Sequence, residues 1–211
     1  CKATMAAMDI PLLGAEGFEA DDVIATLVDY YTKQAARTGE PLRIRILSKD
    51  KDLKQLLSTG PSPVELFDIH TDEVIDVAKL AADSGITPEQ VVDMLALMGD
   101  TADNVPGVEG IGPKTAAELI TTYGTIPAVL AAAQAGEIKG KRGEKLRAAA
   151  ESKQLDLARD LVLLRRDAPA HLDLETAAIT RFNLPALLPV LKELGFHRYQ
   201  TELAEMTGIK L

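Results

Sequence analysis

The chain has 211 residues, with 23 Lys and Arg against 32 Asp and Glu, a formal charge of −9. That length buries a full core and suits one large domain or one domain with a small appendage; the charge excludes a uniformly basic nucleic-acid coat but not a local basic patch. Cys1 is the sole cysteine, which excludes an internal disulfide framework and a CxxC zinc site, His70, His171 and His197 lack ligand spacing, and neither a membrane-length apolar run nor a signal peptide occurs. The expectation is a cytosolic globular protein.

In chain order, residues 3–8 read as a helix that stops before Asp9-Ile10-Pro11, although the chain has only just begun at Cys1. From Glu19 to about Arg37, Val23, Ile24, Leu27, Val28 and Tyr31 recur at helical spacing, and Gly39 closes the helix. Residues 43–47 alternate as a strand, 52–57 form a short helix and 64–67 a second strand. This strand, helix, strand succession predicts an α/β core with a mostly parallel sheet, whose sites lie beyond the carboxyl ends of its strands. After Asp76 the strand signal fades, and the boundary falls near residue 85: residues 1–85 belong to the α/β core and 86–211 to a helical region. Thr87-Pro88-Glu89-Gln90 is a capping-box start for a helix to about Met98. A Gly- and Pro-rich loop covers 99–112, and helices follow at 113–123, 127–135, 144–164, 184–194 and 199–206.

Three acidic clusters each sit at an element end. Glu19-Ala20-Asp21-Asp22 opens a helix, where carboxylates also simply complement the helix dipole. Asp50-Lys51-Asp52 follows a strand, and this spacing can aim both carboxylates into one crevice, or leave Asp52 as a plain helix cap. Asp100-Thr101-Ala102-Asp103 follows an apolar helix and alone reads as an Asx-rich turn. Together they offer oxygen ligands for hard divalent cations such as Mg²⁺, and two such ions clamp a phosphodiester for attack by water. No G-x-S-x-G elbow, Walker A loop or dinucleotide fingerprint competes.

The most specific motif is Val105-Pro106-Gly107-Val108-Glu109-Gly110-Ile111-Gly112-Pro113-Lys114-Thr115-Ala116. Glycines let a backbone approach a ligand closely, and the amides at the next helix start face an anion, the logic of a helix-hairpin-helix grip on DNA phosphates without base readout. Between residues 137 and 166, Lys139, Lys141, Arg142 and six further cations outnumber five acids, a +4 arm on an otherwise acidic chain. Such an arm is also consistent with a solvated amphipathic helix.

The acidic clusters together with Gly99-Asp100-Thr101-Ala102-Asp103-Asn104-Val105-Pro106-Gly107 and Gly110-Ile111-Gly112-Pro113-Lys114-Thr115-Ala116 resemble the 5′–3′ exonuclease domains of the flap-endonuclease family, as found in bacterial DNA polymerase I, across roughly residues 9 to 165. The resemblance implies a PIN-like core incomplete at its amino end, then a helical region with a helix-hairpin-helix. It implies hydrolysis of 5′ ends and flaps on branched DNA in replication and repair, by a monomer acting independently of base sequence. Glu19, Asp21, Asp22, Asp50, Asp52, Asp100 and Asp103 become direct or water-mediated ligands of two Mg²⁺ or Mn²⁺ ions, with Asp22, Asp50 and Asp52 central to catalysis. Gly107, Gly110, Ile111, Gly112, Lys114, Thr115, Lys139, Lys141 and Arg142 become the DNA-binding set, and a K⁺ can sit at the hairpin between Gly110 and Gly112.

Two departures stand out. Lys49 precedes the Asp-x-Asp pair where the family commonly has glycine, and the family's first aspartate-bearing strand and basic arch would lie upstream of Cys1. The chain is therefore expected to bind flapped duplex better than it cuts it; the competing reading is a helix-hairpin-helix module that holds branched DNA without cleavage.

Overall fold

The computed structural model describes residues 2–210, so Cys1 lies outside the described residues. Its chain packs as two units, one from Ile24 to Asp167 and a smaller one built from the stretches up to Val23 and from Ala168 onward.

In chain order, α1 (Lys2–Ala7) precedes α2 (Ala20–Thr38), and the division between the units falls inside α2. In the smaller unit, Met8 C=O accepts the Asn183 N–H at 2.7 Å. That unit also holds 3₁₀ turns at Ile179–Arg181 and Leu184–Ala186 and the helices α9 (Leu187–Glu193) and α10 (His197–Thr207). Leu191 and Leu203 are buried there, and Phe196 meets Tyr199 edge to face at 6.0 Å.

The larger unit opens with the rest of α2, which buries Ala25, Val28, Tyr31 and Ala35 at helical spacing before Gly39 (φ 76) ends it. β1 (Ile44–Leu47) pairs in parallel with β2 (Val64–Asp68), placing Ile46 opposite Leu66. Glu65 is buried between Arg43 and Arg45, at 2.7 and 2.6 Å, and Arg43 first, despite burial, holds its carboxyl below the ordinary range. β3 (Glu73–Ile75), which the sequence reading leaves out, returns antiparallel to β2 through the turn where Asp68 accepts the His70 N–H at 2.8 Å. A tight connection of this kind can join only antiparallel neighbours, so the sheet carries one parallel and one antiparallel pair. α3 (Val77–Ser84) is also unanticipated; Asp76 caps it on the Lys79 N–H at 2.8 Å and Gly85 closes it.

The capping box at Thr87 forms as read, with Gln90 Oε1 accepting the Thr87 N–H at 3.0 Å, and leads through a 3₁₀ turn into α4 (Val91–Met98). α5 (Pro113–Tyr123) and α6 (Ile126–Gln134) follow, bent 87° apart. No single described helix is long and apolar enough to cross a membrane. The expected helix over 144–164 is two helices, α7 (Gly140–Ser152) and α8 (Gln154–Val162), broken at Lys153, whose φ of 54° is left-handed. No Gly or Pro marks that break, so the apolar period runs straight through it.

The hydrophobic core does not divide at residue 85. One continuous cluster runs from Ala25 through the strands to Val162 on α8. Buried Asp93 on α4 joins this helical part: one carboxylate oxygen accepts the Ile126 N–H at the start of α6 (2.9 Å), the other Arg159 Nε from α8 (2.6 Å).

Candidate metal centre and nucleic-acid interface

The carboxylates of the larger unit gather in two loops, one after β1 and one after α4, that Lys51 joins. After β1, Ser48 Oγ accepts the Asp50 N–H (3.0 Å) and Asp50 Oδ1 accepts the Asp52 N–H (3.0 Å), turning the chain into the 3₁₀ turn Asp52–Leu56. Asp50, and not Asp52, is thus the capping carboxylate of this loop. The turn is anchored by buried Gln55, which donates to Asp52 C=O (2.9 Å) and Val162 C=O (3.0 Å) and accepts the Leu164 N–H (3.2 Å). After α4, Asp100 pairs with Val105 in an isolated bridge, and its Oδ1 accepts the N–H groups of Ala102 (2.7 Å) and Asp103 (3.4 Å).

Lys51 links the two loops: its Nζ bonds Asp100 Oδ2. This bond is the first cause that holds the Asp100 carboxyl below its ordinary range. Burial opposes the Lys51 charge, but Asp100, Asp52 and Asp103 outweigh it, so its pKa rises. Asp52 behaves oppositely. Burial, then the charge of Asp50, push its carboxyl up to about 6, with Asp103 and Asp100 adding to the shift and Lys51 countering it. Its Oδ1 is buried with no hydrogen-bond partner.

Four carboxylates therefore share a small region with one ammonium, and one of their oxygens is both desolvated and unsatisfied. Such a group is costly unless a cation meets it. Among the described residues, no three carboxylate, imidazole or thiol groups stand together so as to ligate one ion, and Lys51 is on Asp100. The donor set still fits a hard divalent ion, which takes a few carboxylates and keeps several waters. Glu19, Asp21 and Asp22 lie in the smaller unit at the start of α2, where Asp22 Oδ2 accepts the Glu19 N–H at 3.2 Å, a capping contact.

The hairpin between α4 and α5 is backbone packed on backbone. A Cβ at Gly107 would overlap Met98 C=O and the Gly99 amide, and one at Gly99 would overlap Gly107 in return. Val108 N–H bonds Leu97 C=O at 2.9 Å, and Gln154 Nε2 donates to Gly107 C=O at 2.5 Å. Gly107 thus keeps the loop closed. Ile111 anchors the turn: its side chain is in the core and its N–H bonds Val108 C=O (3.0 Å). Gly110 (φ 80) and Gly112 remain at the surface; a Cβ at Gly112 would meet nothing within 4 Å. Gly112 is the N-cap of α5, so no side chain caps the amides of Lys114 and Thr115. Lys114 is exposed and Thr115 half-buried.

Lys139, the N-cap of α7, and Lys141 and Arg142 in its first turn are exposed, with Arg142 3.7 Å from Glu118. Lys145 reaches back to the hairpin and pairs with Glu109 at 2.7 Å. An open cavity of about 660 Å³ is shared by the two features, lined by Lys51, Gly99 and Asp100 together with Glu109, Gly110 and Pro113. The Lys51 and Gln55 roles are not apparent from the sequence, whose one signal for them is an Asp-Lys-Asp run with a Gln at the next helical turn.

The N-terminal resolvase-like domain of 5′-3′ exonuclease matches residues 1–85, and the C-terminal SAM fold of 5′-3′ exonuclease matches residues 86–184. DNA polymerase I of Rhizobium leguminosarum is 41% identical over 200 residues, covering 94% of this chain and 18% of the polymerase. The 5′-3′ exonuclease of Aquifex aeolicus is 36% identical over 188 residues, covering 88% of this chain and 58% of that protein. The chain thus spans less than two thirds of these relatives. A solved bacteriophage T5 flap endonuclease, described with DNA and metal ions, shares the fold at a TM-score of 0.54 and 24% identity, over 90% of this chain and 61% of that one.

Proposed function

Because the chain belongs to the 5′-3′ exonuclease family, we propose that it is the nuclease portion of a DNA polymerase I-type protein and hydrolyses phosphodiesters at 5′ ends and flaps of branched DNA. The observation that carries this reading is the buried, unpartnered Oδ1 of Asp52 among like charges, next to Lys51 and Asp100, which line the same cavity as the glycine hairpin. A divalent ion, Mg²⁺ or Mn²⁺, would supply Lewis-acid stabilisation of a phosphorane-like transition state and a more acidic water.

The chain's own residues divide the remaining work. Asp50, Asp52, Asp100 and Asp103 hold the cation, and Glu19, Asp21 and Asp22 remain the further carboxylate ligands that the family resemblance implies. Asp50 and Asp52 sit nearest the reacting phosphate in this reading, and Asp22 keeps the catalytic role that the resemblance implies. The hairpin holds a neighbouring phosphate through the uncapped amides of α5, with Lys114 and Thr115 beside them, and a K⁺ near Gly110 and Gly112 belongs to the same proposal. Lys139, Lys141 and Arg142 add a sequence-independent attraction that salt weakens.

The test is cleavage of a 5′-labelled flap duplex in Mg²⁺ and in Mn²⁺, comparing this chain with Asp52→Asn. Metal-dependent release of 5′ products that the substitution abolishes supports the reading. Tight, salt-sensitive flap binding with no cleavage in either metal would replace it by a non-cleaving helix-hairpin-helix module.

A further inference from the structure

One cation already sits among the carboxylates, and it belongs to the protein. Lys51 lies between Asp50 and Asp52 in sequence, and its Nζ is on Asp100 of the other loop. Asp100 is not free to follow it: its second oxygen is fixed by the amides of Ala102 and Asp103, and its backbone by the bridge to Val105. If the pair opens, the lysine must be the partner that moves. It has the room to do so, because its half-exposed stem lines the 660 Å³ cavity running toward the hairpin. The pairing is also incomplete. One ammonium faces four carboxylates, and it leaves the buried Asp52 Oδ1 without a partner. A doubly charged ion with several coordination positions serves this cluster better than a single ammonium does.

We propose that Lys51 is a displaceable internal counter-ion: without metal its ammonium occupies a cation position at Asp100, and on metal binding it turns into the adjoining cavity, where it meets a substrate phosphate. This rests on the metal-binding reading above. It gives Lys51 two states and a reason for each. In the first, it lowers the repulsion that four clustered carboxylates would impose on the empty protein. In the second, the metal takes over that neutralisation, and a cation becomes available on the wall of the cavity that leads to Gly110. Lys51 is then a positioning residue for the phosphate, ready only when metal is present, so that DNA and metal bind with positive coupling. A purely structural ion pair would do neither: it would stabilise the loops equally with and without metal.

The experiment is Mn²⁺ titration by calorimetry of the chelator-treated chain and of Lys51→Met, Lys51→Arg and Asp52→Asn, alongside fluorescence anisotropy of a labelled flap duplex in EDTA and in Ca²⁺. Loss of the competing ammonium is expected to tighten Mn²⁺ binding by Lys51→Met roughly two- to fivefold, the worth of a partly exposed pair. Lys51→Arg should stay near the parent, and Asp52→Asn should weaken Mn²⁺ binding. In EDTA, Lys51→Met should bind DNA like the parent, and in Ca²⁺ about threefold more weakly, because the lysine contributes only once displaced.

Equal or weaker Mn²⁺ binding by Lys51→Met, with Asp52→Asn still impaired, overturns the counter-ion role and leaves the metal site standing. An equal loss of DNA affinity in EDTA and Ca²⁺ overturns the displacement step. Absence of Mn²⁺ binding by the parent chain overturns the metal reading itself and this inference with it. Circular dichroism of each variant confirms the fold, and a Lys51→Met chain that failed to fold would contradict the view that Asp100 is held by its own backbone bonds.

Discussion

The glycine hairpin and the acidic cluster share a cavity, yet they are built on opposite principles. The hairpin is finished before any ligand arrives: Val108 and Ile111 are buried, Gly107 lies against the Met98 and Gly99 backbone, and its amides are either bonded inward or face out of an uncapped helix start. The cluster is unfinished, with Asp52 desolvated, an oxygen unpartnered and only Lys51 to offset the repulsion. A rigid backbone grip gains affinity by preorganisation. A metal site gains its affinity from the very repulsion that costs the empty protein stability. Substitutions in the two regions should therefore move stability in opposite directions.

The largest effect belongs to the hairpin. Gly107→Ala puts a methyl group into backbone that cannot retreat, and should cost about 3 kcal/mol of stability, the upper end of overpacking. Gly112→Ala is the matching control. Its φ of −94° suits any residue and its Cβ meets nothing, so stability should stay within about 1 kcal/mol while DNA affinity falls because the phosphate can no longer approach. Urea denaturation midpoints with flap-binding isotherms separate the two. Equal destabilisation by both would show that the hairpin is not the preformed element described.

The cluster should respond with the other sign. The folded-state pKa of Asp52, about 6, lies above its unfolded value of 3.8. Ionising this group therefore costs stability: its favourable contribution is complete below pH 3.8 and is lost as the pH rises through 6. Asp52→Asn should stabilise the metal-free chain at pH 7.5 by about 1–3 kcal/mol, and the gain should vanish near pH 4. With saturating Mn²⁺ the order should reverse, since only the parent gains from binding. Thermal melts across pH, with and without Mn²⁺, decide this. A destabilised Asp52→Asn at pH 7.5 in EDTA would remove the contrast with the hairpin.

This contrast also explains what could be read from residue order. The hairpin was legible because its requirements are local: glycines at fixed spacing, a proline at the first helical position and an apolar residue between. The acidic clusters were legible as residue types at element ends, and the capping box at Thr87 as a pattern of four. What escaped is long-range. The Lys51–Asp100 pair joins positions 49 residues apart and Arg159–Asp93 spans 66, and no periodicity reports such partners. β3 was too short to show alternation, and the break at Lys153 carries no Gly or Pro because the left-handed turn is imposed by packing of Leu146, Ala149 and Leu155 on either side. The motif around Ile111 points to DNA, and an isoleucine flanked by glycines is also what anchors a turn in a core.

DNA affinity offers a finer comparison between the grip and its basic arm. Each phosphate neutralised contributes about 0.9 to the slope of log affinity against log salt. Replacing Lys139, Lys141 and Arg142 together by Ala should lower that slope by about 2 to 3, with Arg142 contributing least because Glu118 already stands 3.7 Å away. Gly112→Ala should weaken binding with a smaller change of slope, since it removes an approach and not a charge. Anisotropy titrations between low and moderate salt measure both. Identical slopes in all three proteins would assign the arm to solvent.

The smallest expected effect lies where the two design principles meet. Glu109 is an acidic residue inside a turn that otherwise suits an anion, and it holds Lys145 at 2.7 Å, which in turn lowers the Glu109 carboxyl below its ordinary range. While that pair persists, Lys145 is unavailable to a phosphate and the carboxylate repels one. Glu109→Gln should therefore tighten flap binding about two- to threefold at low salt, with the gain shrinking as screening shortens the reach of both charges. Stability should scarcely change, because the pair is exposed. Lys145→Met should weaken binding, and in that background Glu109→Gln should recover only the part due to its own repulsion. A full two- to threefold gain without Lys145 would show that the carboxylate acts on DNA directly, and that the hairpin, unlike the acidic cluster, holds no internal counter-ion to be displaced.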